Sequence, residues 1–101
     1  MSVPLDYFTD KPDIELYSNP KIVQRRAKLY NLDVVFSPRK NKKYRIYDPI
    51  NDKYVDFGLM GMEDWTRHQN LSRLNNFRRR NAKWYDSPKY SASWASAHLL
   101  W

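Results

Sequence analysis

The chain has 101 residues, enough for one small domain with a modest hydrophobic core. It contains no cysteine, so disulfide bonds and thiolate metal sites are excluded. Its formal net charge is +7, and no apolar run approaches the ~20 residues that cross a bilayer, so the composition favours an acidic partner and no membrane span.

The charge is unevenly distributed along the chain. Residues 1–20 carry four acidic residues and one lysine, and residues 21–53 carry ten basic and three acidic residues. Residues 54–101 carry seven basic and four acidic residues, together with all four tryptophans. This asymmetry indicates an acidic partner, which is either nucleic acid or the acidic surface of another protein.

Residues 1–18 combine two prolines, acidic side chains and scattered aromatic side chains without periodicity. This composition predicts a flexible or extended acidic arm. The alternative is that isolated aromatic side chains such as Tyr7 and Tyr17 anchor the arm in pockets of a partner. A single small domain is predicted to follow over residues 19–101.

Asn19-Pro20 is typical of a helix start, with Asn as the N-cap and Pro in the first helical position. Projection at 100° per residue gives this helix an apolar face and a basic face. The apolar face holds Ile22, Val23, Leu29 and Tyr30, and the opposite face holds Lys21, Gln24, Arg25 and Lys28. The basic face is either a solvated surface or a surface that lies along phosphates.

A β-hairpin is predicted in the middle of the chain. Residues 33–37 predict a short strand, and residues 39–43 form a loop of concentrated positive charge. Residues 44–47 and 53–57 alternate as strands do, and the turn-forming residues 48–52 join them. The tyrosines of this hairpin either pack in cross-strand pairs or stack on bases.

A loop and a cationic helix are predicted next. Gly58 and Gly61 bracket a tight loop where the backbone is expected to adopt positive φ. Glu63 and Asp64 place negative charge at the start of the following helix, which favours its dipole. In that helix an apolar stripe of Leu71, Leu74 and Phe77 lies away from a cationic side that includes Arg73, Arg79 and Arg80.

A final helix is predicted over residues 91–101. One face of this helix, together with the preceding Tyr90, holds Trp94, Ala97, His98 and Trp101, and Leu99 and Leu100 lie on other sides. A helix that is apolar nearly all round must be buried from several directions. It therefore belongs to the core, to a partner interface, or to both, and we predict a protein interface at Tyr90, Trp94, Leu100 and Trp101, with Trp84 beside them.

The pattern of nucleophiles, acids and bases indicates a protein that is not an enzyme. The two histidines lie on separate elements, and Asp64 and His68 lack further ligands at a spacing that would bind a metal ion. We expect Asp64 and His68 to cap and orient the loop that starts at Gly58, without a metal or another cofactor.

The C-terminal part also resembles a known family. The pattern F-G-x-x-G-x-x-D-aromatic-T-x-H begins at Phe57, an arginine-rich helix follows, and W-x-D-x-P-K and L-L-W close the chain. This order is similar to that of small basic proteins of large double-stranded DNA viruses, a family without assigned biochemistry. The resemblance covers about the last 60 residues, and Gln69-Asn70 replaces the Lys-Asp expected after the histidine. It implies a viral, virion-linked context.

These observations predict a small α+β domain with an N-terminal helix, a β-hairpin and two C-terminal helices; an elongated form laid over other subunits is the alternative.

The predicted function is that of a small basic structural protein, a minor capsid or cementing protein that contacts larger viral structural proteins. The alternative is a non-specific nucleic-acid-binding protein that packages or neutralises a viral DNA genome. The expected location is the virion, with assembly in the host cytoplasm or nucleus. Contacts to nucleic acid or an acidic partner are predicted at Lys40, Lys42, Lys43, Arg73, Arg79 and Arg80.

Overall fold

A computed structural model describes residues 10–101 of the chain, in which helices flank a three-stranded sheet. A single 3₁₀ turn over Ile14–Leu16 precedes helix α1. The regular elements are α1 (Pro20–Lys28), β1 (Val35–Phe36), β2 (Lys42–Asp48), β3 (Lys53–Leu59), α2 (Trp65–His68), α3 (Leu71–Arg80) and α4 (Ala92–Ala95). A 3₁₀ segment over Ala82–Asp86 follows α3, and α4 continues as a π-helical segment over Ser96–Leu100. The predicted α+β class is confirmed.

The sheet is antiparallel with the order β1-β2-β3, as the hairpin and the additional short strand predicted. Tyr44 pairs with Phe57 and Ile46 pairs with Val55, and these residues point their side chains to the core. Tyr47 pairs with Tyr54, and the two rings meet edge to face with centroids 5.5 Å apart. The hairpin tyrosines therefore pack across the strands, which is the first of the two interpretations above.

Helix α1 begins where the sequence predicted. The side chain of Asn19 accepts hydrogen bonds from the amides of Lys21 and Ile22, at 3.2 and 3.4 Å. Arg26 interrupts the apolar face of this helix. Its guanidinium lies 5.4 Å from the centroid of the Trp65 ring and donates to the carbonyl of Leu99, so the cation is held by specific partners in a half-buried position.

The helix predicted after Asp64 is divided into two. Helix α2 ends after one turn because Gln69 takes a left-handed conformation with φ of 51°. Asn70 then caps α3, with its side chain accepting from the amide of Arg73 at 3.1 Å. Asparagine is one of the preferred N-cap residues.

The core lies between α1, the sheet and the final helix. Its buried members include Val23, Ala27, Val34, Tyr44, Ile46, Phe57, Trp94, Leu99 and Leu100. The final helix contributes Trp94, Leu99 and Leu100 to this core from different sides, as its all-round apolar pattern predicted.

The core also reaches N-terminal to the predicted domain boundary at residue 19. Ile14 is buried in the core, and Ser18 is buried with its hydroxyl bonded to Tyr44 and Thr66. Within the predicted arm, residues 10–18 therefore pack on the domain, and residues 1–9 lie outside the described residues.

The described chain is not elongated. Its radius of gyration is 12.7 Å, which equals the roughly 12–13 Å expected of a compact domain of this length, so the elongated alternative is wrong. Among residues 10–101, no helix has the length and apolar character that a bilayer crossing requires.

Candidate functional site

A cleft of about 570 Å³ opens between the sheet, α3 and the final helix. Its lining combines aromatic or apolar side chains with basic ones, and it also includes the acidic residues Glu63 and Asp64. We call it the basic–aromatic cleft, and its principal residues are Lys42, Leu59, Met62, Arg73, Asn76, Phe77, Arg80, Asn81, Trp84 and Trp101. Six of the residues predicted from sequence as partner contacts thus line one cleft: Lys42, Lys43, Arg73, Arg80, Leu100 and Trp101.

The aromatic wall of the cleft is built around Phe77. The ring of Trp101 stacks on Phe77 with centroids 4.3 Å apart and planes 3° apart, and His68 packs on Trp101 at 5.3 Å. Trp84 meets Phe77 edge to face, at 5.6 Å and 81°. Phe77 is buried and Trp101 is half-buried, whereas Trp84 is 38% exposed. Trp84 is therefore the ring of this wall that a ligand reaches most easily.

The rim of the cleft is cationic. The guanidinium of Arg73 pairs with Glu63 at 3.2 Å, and both side chains are well exposed, so the pair is weak. Arg80 and Lys42 line the rim from α3 and β2. Three consecutive arginines, at residues 78–80, occupy the last turn of α3, where positive charge also favours the helix dipole.

Lys43 lies beneath the cleft and is not available to a partner. The residue is 1% exposed, and its ammonium group donates to Asp64 Oδ2 at 3.0 Å, the Met62 carbonyl at 2.6 Å and the Tyr17 carbonyl at 3.3 Å. Burial lowers the pKa of Lys43, and the neighbouring carboxylate of Asp64 opposes that shift. The predicted contact of Lys43 with nucleic acid is therefore wrong, because all three of its donors are already used within the fold.

Asp64 belongs to a buried polar network that joins three parts of the chain. Its carboxylate accepts from Lys43 and from the hydroxyl of Thr66. The Ser18 and Thr66 hydroxyl oxygens lie 3.1 Å apart, and Tyr44 donates to Ser18 at 2.7 Å. Burial raises the pKa of the Tyr44 phenol, which keeps that phenol neutral. Lys43 links this network to the loop after Gly58, because its ammonium group also donates to the Met62 carbonyl.

His68 lies at the junction of α2 and α3, and its ring makes no bond to Asp64. Its Nδ1 accepts from the amide of Asn70 at 2.9 Å, and its pKa is lowered by burial and by the nearby Arg73. His68 thus orients the helix break, a different place from the loop at Gly58. Within residues 10–101, no three potential metal-binding His, Asp or Glu side chains lie together.

The residues of the predicted protein interface do not form one exposed surface. Trp94 is 6% exposed and Leu100 is 2% exposed, so both belong to the core, and they do not form a surface. Trp94 packs between the rings of Tyr30, Tyr90 and His98, with centroids 5.0–5.9 Å away. Tyr90 and Trp101 are half-buried, and Trp84 is the most exposed member of the set.

The remaining predicted cations lie apart from the cleft. Lys40 is exposed in the loop between β1 and β2, and Arg79 is exposed on α3 with its guanidinium bonded to Asn76 at 3.2 Å. Met62, Asn76 and Asn81 line the cleft but were not predicted as site residues. The asparagines were detectable as polar residues on the cationic helix, but their position depends on how α3 meets the final helix.

Comparison with known protein families gives a match over part of the chain. Residues 32–81 match a protein family described as a family of unknown function (DUF5754). The matched segment contains the sheet, α2 and α3, which supply one side of the cleft, and it stops before the final helix. Neither curated proteins nor solved structures give a match to the chain.

Proposed function

We propose that this protein is a non-catalytic protein that binds nucleic acid non-specifically through the cationic surface of α3 and the rim of the basic–aromatic cleft. The observation that carries this proposal is a set of cations without counter-charges. Among residues 10–101, Arg78, Arg79 and Arg80 have no carboxylate within ion-pair distance, although the domain holds three other ion pairs. Exposed guanidinium groups are strong ligands of phosphate oxygens.

Non-specific binding is supported by where these cations sit. They project from the end of a ten-residue helix on long side chains, and phosphate contacts of that kind carry no sequence information. The resemblance to small basic proteins of large double-stranded DNA viruses suggests the partner, which would be the viral genome. The protein would then act in the virion and during assembly in the host cell.

A second candidate function is that of a minor capsid or cementing protein that contacts larger viral structural proteins. The specific observation that favours it is the apolar rim of the cleft. Leu59, Met62 and Trp84 are exposed there, and such patches commonly mark protein interfaces. If it is correct, the protein is present in purified particles and is lost from them when Met62 and Trp84 are both replaced by serine.

Salt dependence tests the first proposal. Lys43 is buried, so five predicted contacts remain accessible: the half-buried Lys42 and the exposed Lys40, Arg73, Arg79 and Arg80. About five phosphate contacts give a slope of log affinity against log salt of about −4 to −5 on duplex DNA. The measurement is fluorescence anisotropy with duplexes of unrelated sequence. A salt-independent affinity, or strong preference for one sequence, would contradict the proposal.

A matched pair of triple variants tests which surface binds. In the variant Arg78→Gln, Arg79→Gln, Arg80→Gln, the slope of log affinity against log salt is expected to become less negative by about 2 to 3. The control variant Lys21→Gln, Arg25→Gln, Lys28→Gln removes the same charge from exposed positions on α1. It should leave the slope nearly unchanged. Equal losses in both variants would show that net charge, and not the α3 surface, drives binding.

A further inference from the structure

We infer that the basic–aromatic cleft takes unpaired nucleic acid, with one base stacked on Trp84 and the neighbouring phosphates held by Arg73, Arg80 and Lys42. This inference rests on the proposed function, because it assigns the form of nucleic acid that the same cationic surface accepts.

The ring of Trp84 is the part of the cleft suited to stacking. Among the described residues, its one ring contact is with Phe77, which it meets at 81°, so at least one indole face carries no stacked ring. Trp101 differs, because Phe77 covers one of its faces at 4.3 Å and His68 packs on it as well. An exposed indole beside a packed aromatic pair is a rigid platform for a base.

The charge around the ring matches a nucleic-acid strand. Arg73, Arg80 and Lys42 line the same cleft as Trp84, and Arg73 pairs with the exposed carboxylate of Glu63. A base bound on the indole would bring the phosphates on either side of it towards this rim. Cations that follow the backbone, next to aromatic rings that receive bases, are the common design of single-strand binding sites.

The geometry favours an unpaired strand over a duplex. Bases in a duplex already stack on each other, so a side chain inside a cleft reaches a base face only where the strand is open. The cleft volume of about 570 Å³ lies within the ~300–1,000 Å³ of typical ligand sites. Asn76 and Asn81 also line the cleft, and amide side chains carry a donor and an acceptor as base edges do, although the Asn76 oxygen already accepts from Arg79 at 3.2 Å. An acidic peptide would use the cations but would not need the open indole face together with the two amides.

The test compares single-stranded and duplex DNA on the full chain. The probes are oligothymidylate of about 12 nucleotides and a duplex of the same length, followed by anisotropy and by tryptophan fluorescence. The natural protein should bind the single strand more tightly than the duplex and lose indole fluorescence on binding. Tighter binding of the duplex, or no change in fluorescence, would overturn the inference.

Variants at residue 84 identify the ring. Trp84→Leu should weaken oligothymidylate binding about 5- to 150-fold and leave duplex binding unchanged, whereas Trp84→Phe should retain most of the affinity. The fluorescence change should disappear in both variants, because the Trp84 indole that reports binding is absent and Trp101, the other tryptophan of the cleft, is packed against Phe77 and His68. If Trp84→Leu unfolds, Trp84→Phe still decides the matter, because persistence of the fluorescence change in it would overturn the assignment.

Failure of this inference is distinguishable from failure of the proposed function. Binding of single-stranded and duplex DNA that is equal and insensitive to residue 84 would remove the stacking site and leave non-specific binding by α3 in place. Loss of all DNA binding would remove both. Polyglutamate that displaces oligothymidylate and changes the fluorescence equally would overturn the inference in favour of an acidic protein partner.

Discussion

At the scale of single residues, three lysines of one basic stretch have different environments. Lys40 is exposed, Lys42 lines the cleft, and Lys43 is buried against Asp64. The difference arises because only the Lys43 ammonium reaches three acceptors at once, from residues 17, 62 and 64. A buried cation is tolerated only where its donors are all satisfied and an opposite charge is near.

Replacing Lys43 with Met should therefore destabilise the protein. It leaves the carboxylate of Asp64 buried without a cation, and breaking a buried pair in this way costs about 3–5 kcal/mol. Lys40→Met is the control, because it makes the same change at an exposed position and should stay within ~0.5 kcal/mol. Urea unfolding measures both. A Lys43→Met variant as stable as the natural protein would show that the pair contributes nothing.

At the scale of elements, Gly58 allows strand β3 to approach the final helix. Both loop glycines have positive φ, +79° at Gly58 and +93° at Gly61, as the sequence predicted. Only Gly58 is also crowded, since a Cβ there would lie 3.0 Å from Leu100 Cδ1 and 3.1 Å from Lys43 Cβ. The close contact between β3 and the final helix therefore requires a residue without a side chain at this position.

The alanine variants of the two glycines should differ in stability. Each substitution carries the cost of a left-handed conformation, about 1–2 kcal/mol. Only Gly58→Ala adds overpacking, about 1–3 kcal/mol more, because within residues 10–101 no atom beyond the chain neighbours lies within 4 Å of the corresponding position at Gly61. Thermal and urea unfolding of the two variants measure the difference. Equal destabilisation would mean that the helix moves aside freely.

At the scale of the whole molecule, the final helix completes the core. Trp94 packs on Tyr30 after α1 and lies in one cluster with Tyr44 and Phe57 of the sheet. A domain of this size has little apolar surface to spare, so the helix that looked too apolar for the chain is used within it. Of the four tryptophans, Trp84 is consequently the most exposed to a partner.

The two tryptophans should respond differently to truncation. Trp94→Ala removes a core side chain that is 6% exposed and should cost about 3–5 kcal/mol. Trp84→Ala removes a side chain that is 38% exposed and should cost about 1 kcal/mol. Chemical unfolding of the protein made alone is the measurement. If Trp94→Ala changed the free energy of unfolding only slightly, Trp94 would not be a core residue and the final helix would again be a candidate interface.

Prediction from sequence succeeded where neighbours along the chain carry the signal. The cap at Asn19, the hairpin with its turn, the positive φ of both glycines and the amphipathic α3 each depend on residues a few positions apart. The break at Gln69 was missed because no glycine or proline marks it. The break is stabilised by the distant contact of His68 with Trp101 and by the local N-cap that Asn70 provides to the amide of Arg73.

The sequence by itself determined the α+β class, the hairpin and the cationic character of α3, because these follow from alternation, helical periodicity and local capping. Only the tertiary structure decided that Lys43 is buried, that Trp94 belongs to the core, and that Arg73, Arg80, Trp84 and Trp101 share one cleft. These outcomes depend on partners far apart in the chain, such as Asp64 for Lys43 and Tyr30 for Trp94. Burial and proximity of that kind arise from packing between elements, which no local pattern of residues encodes.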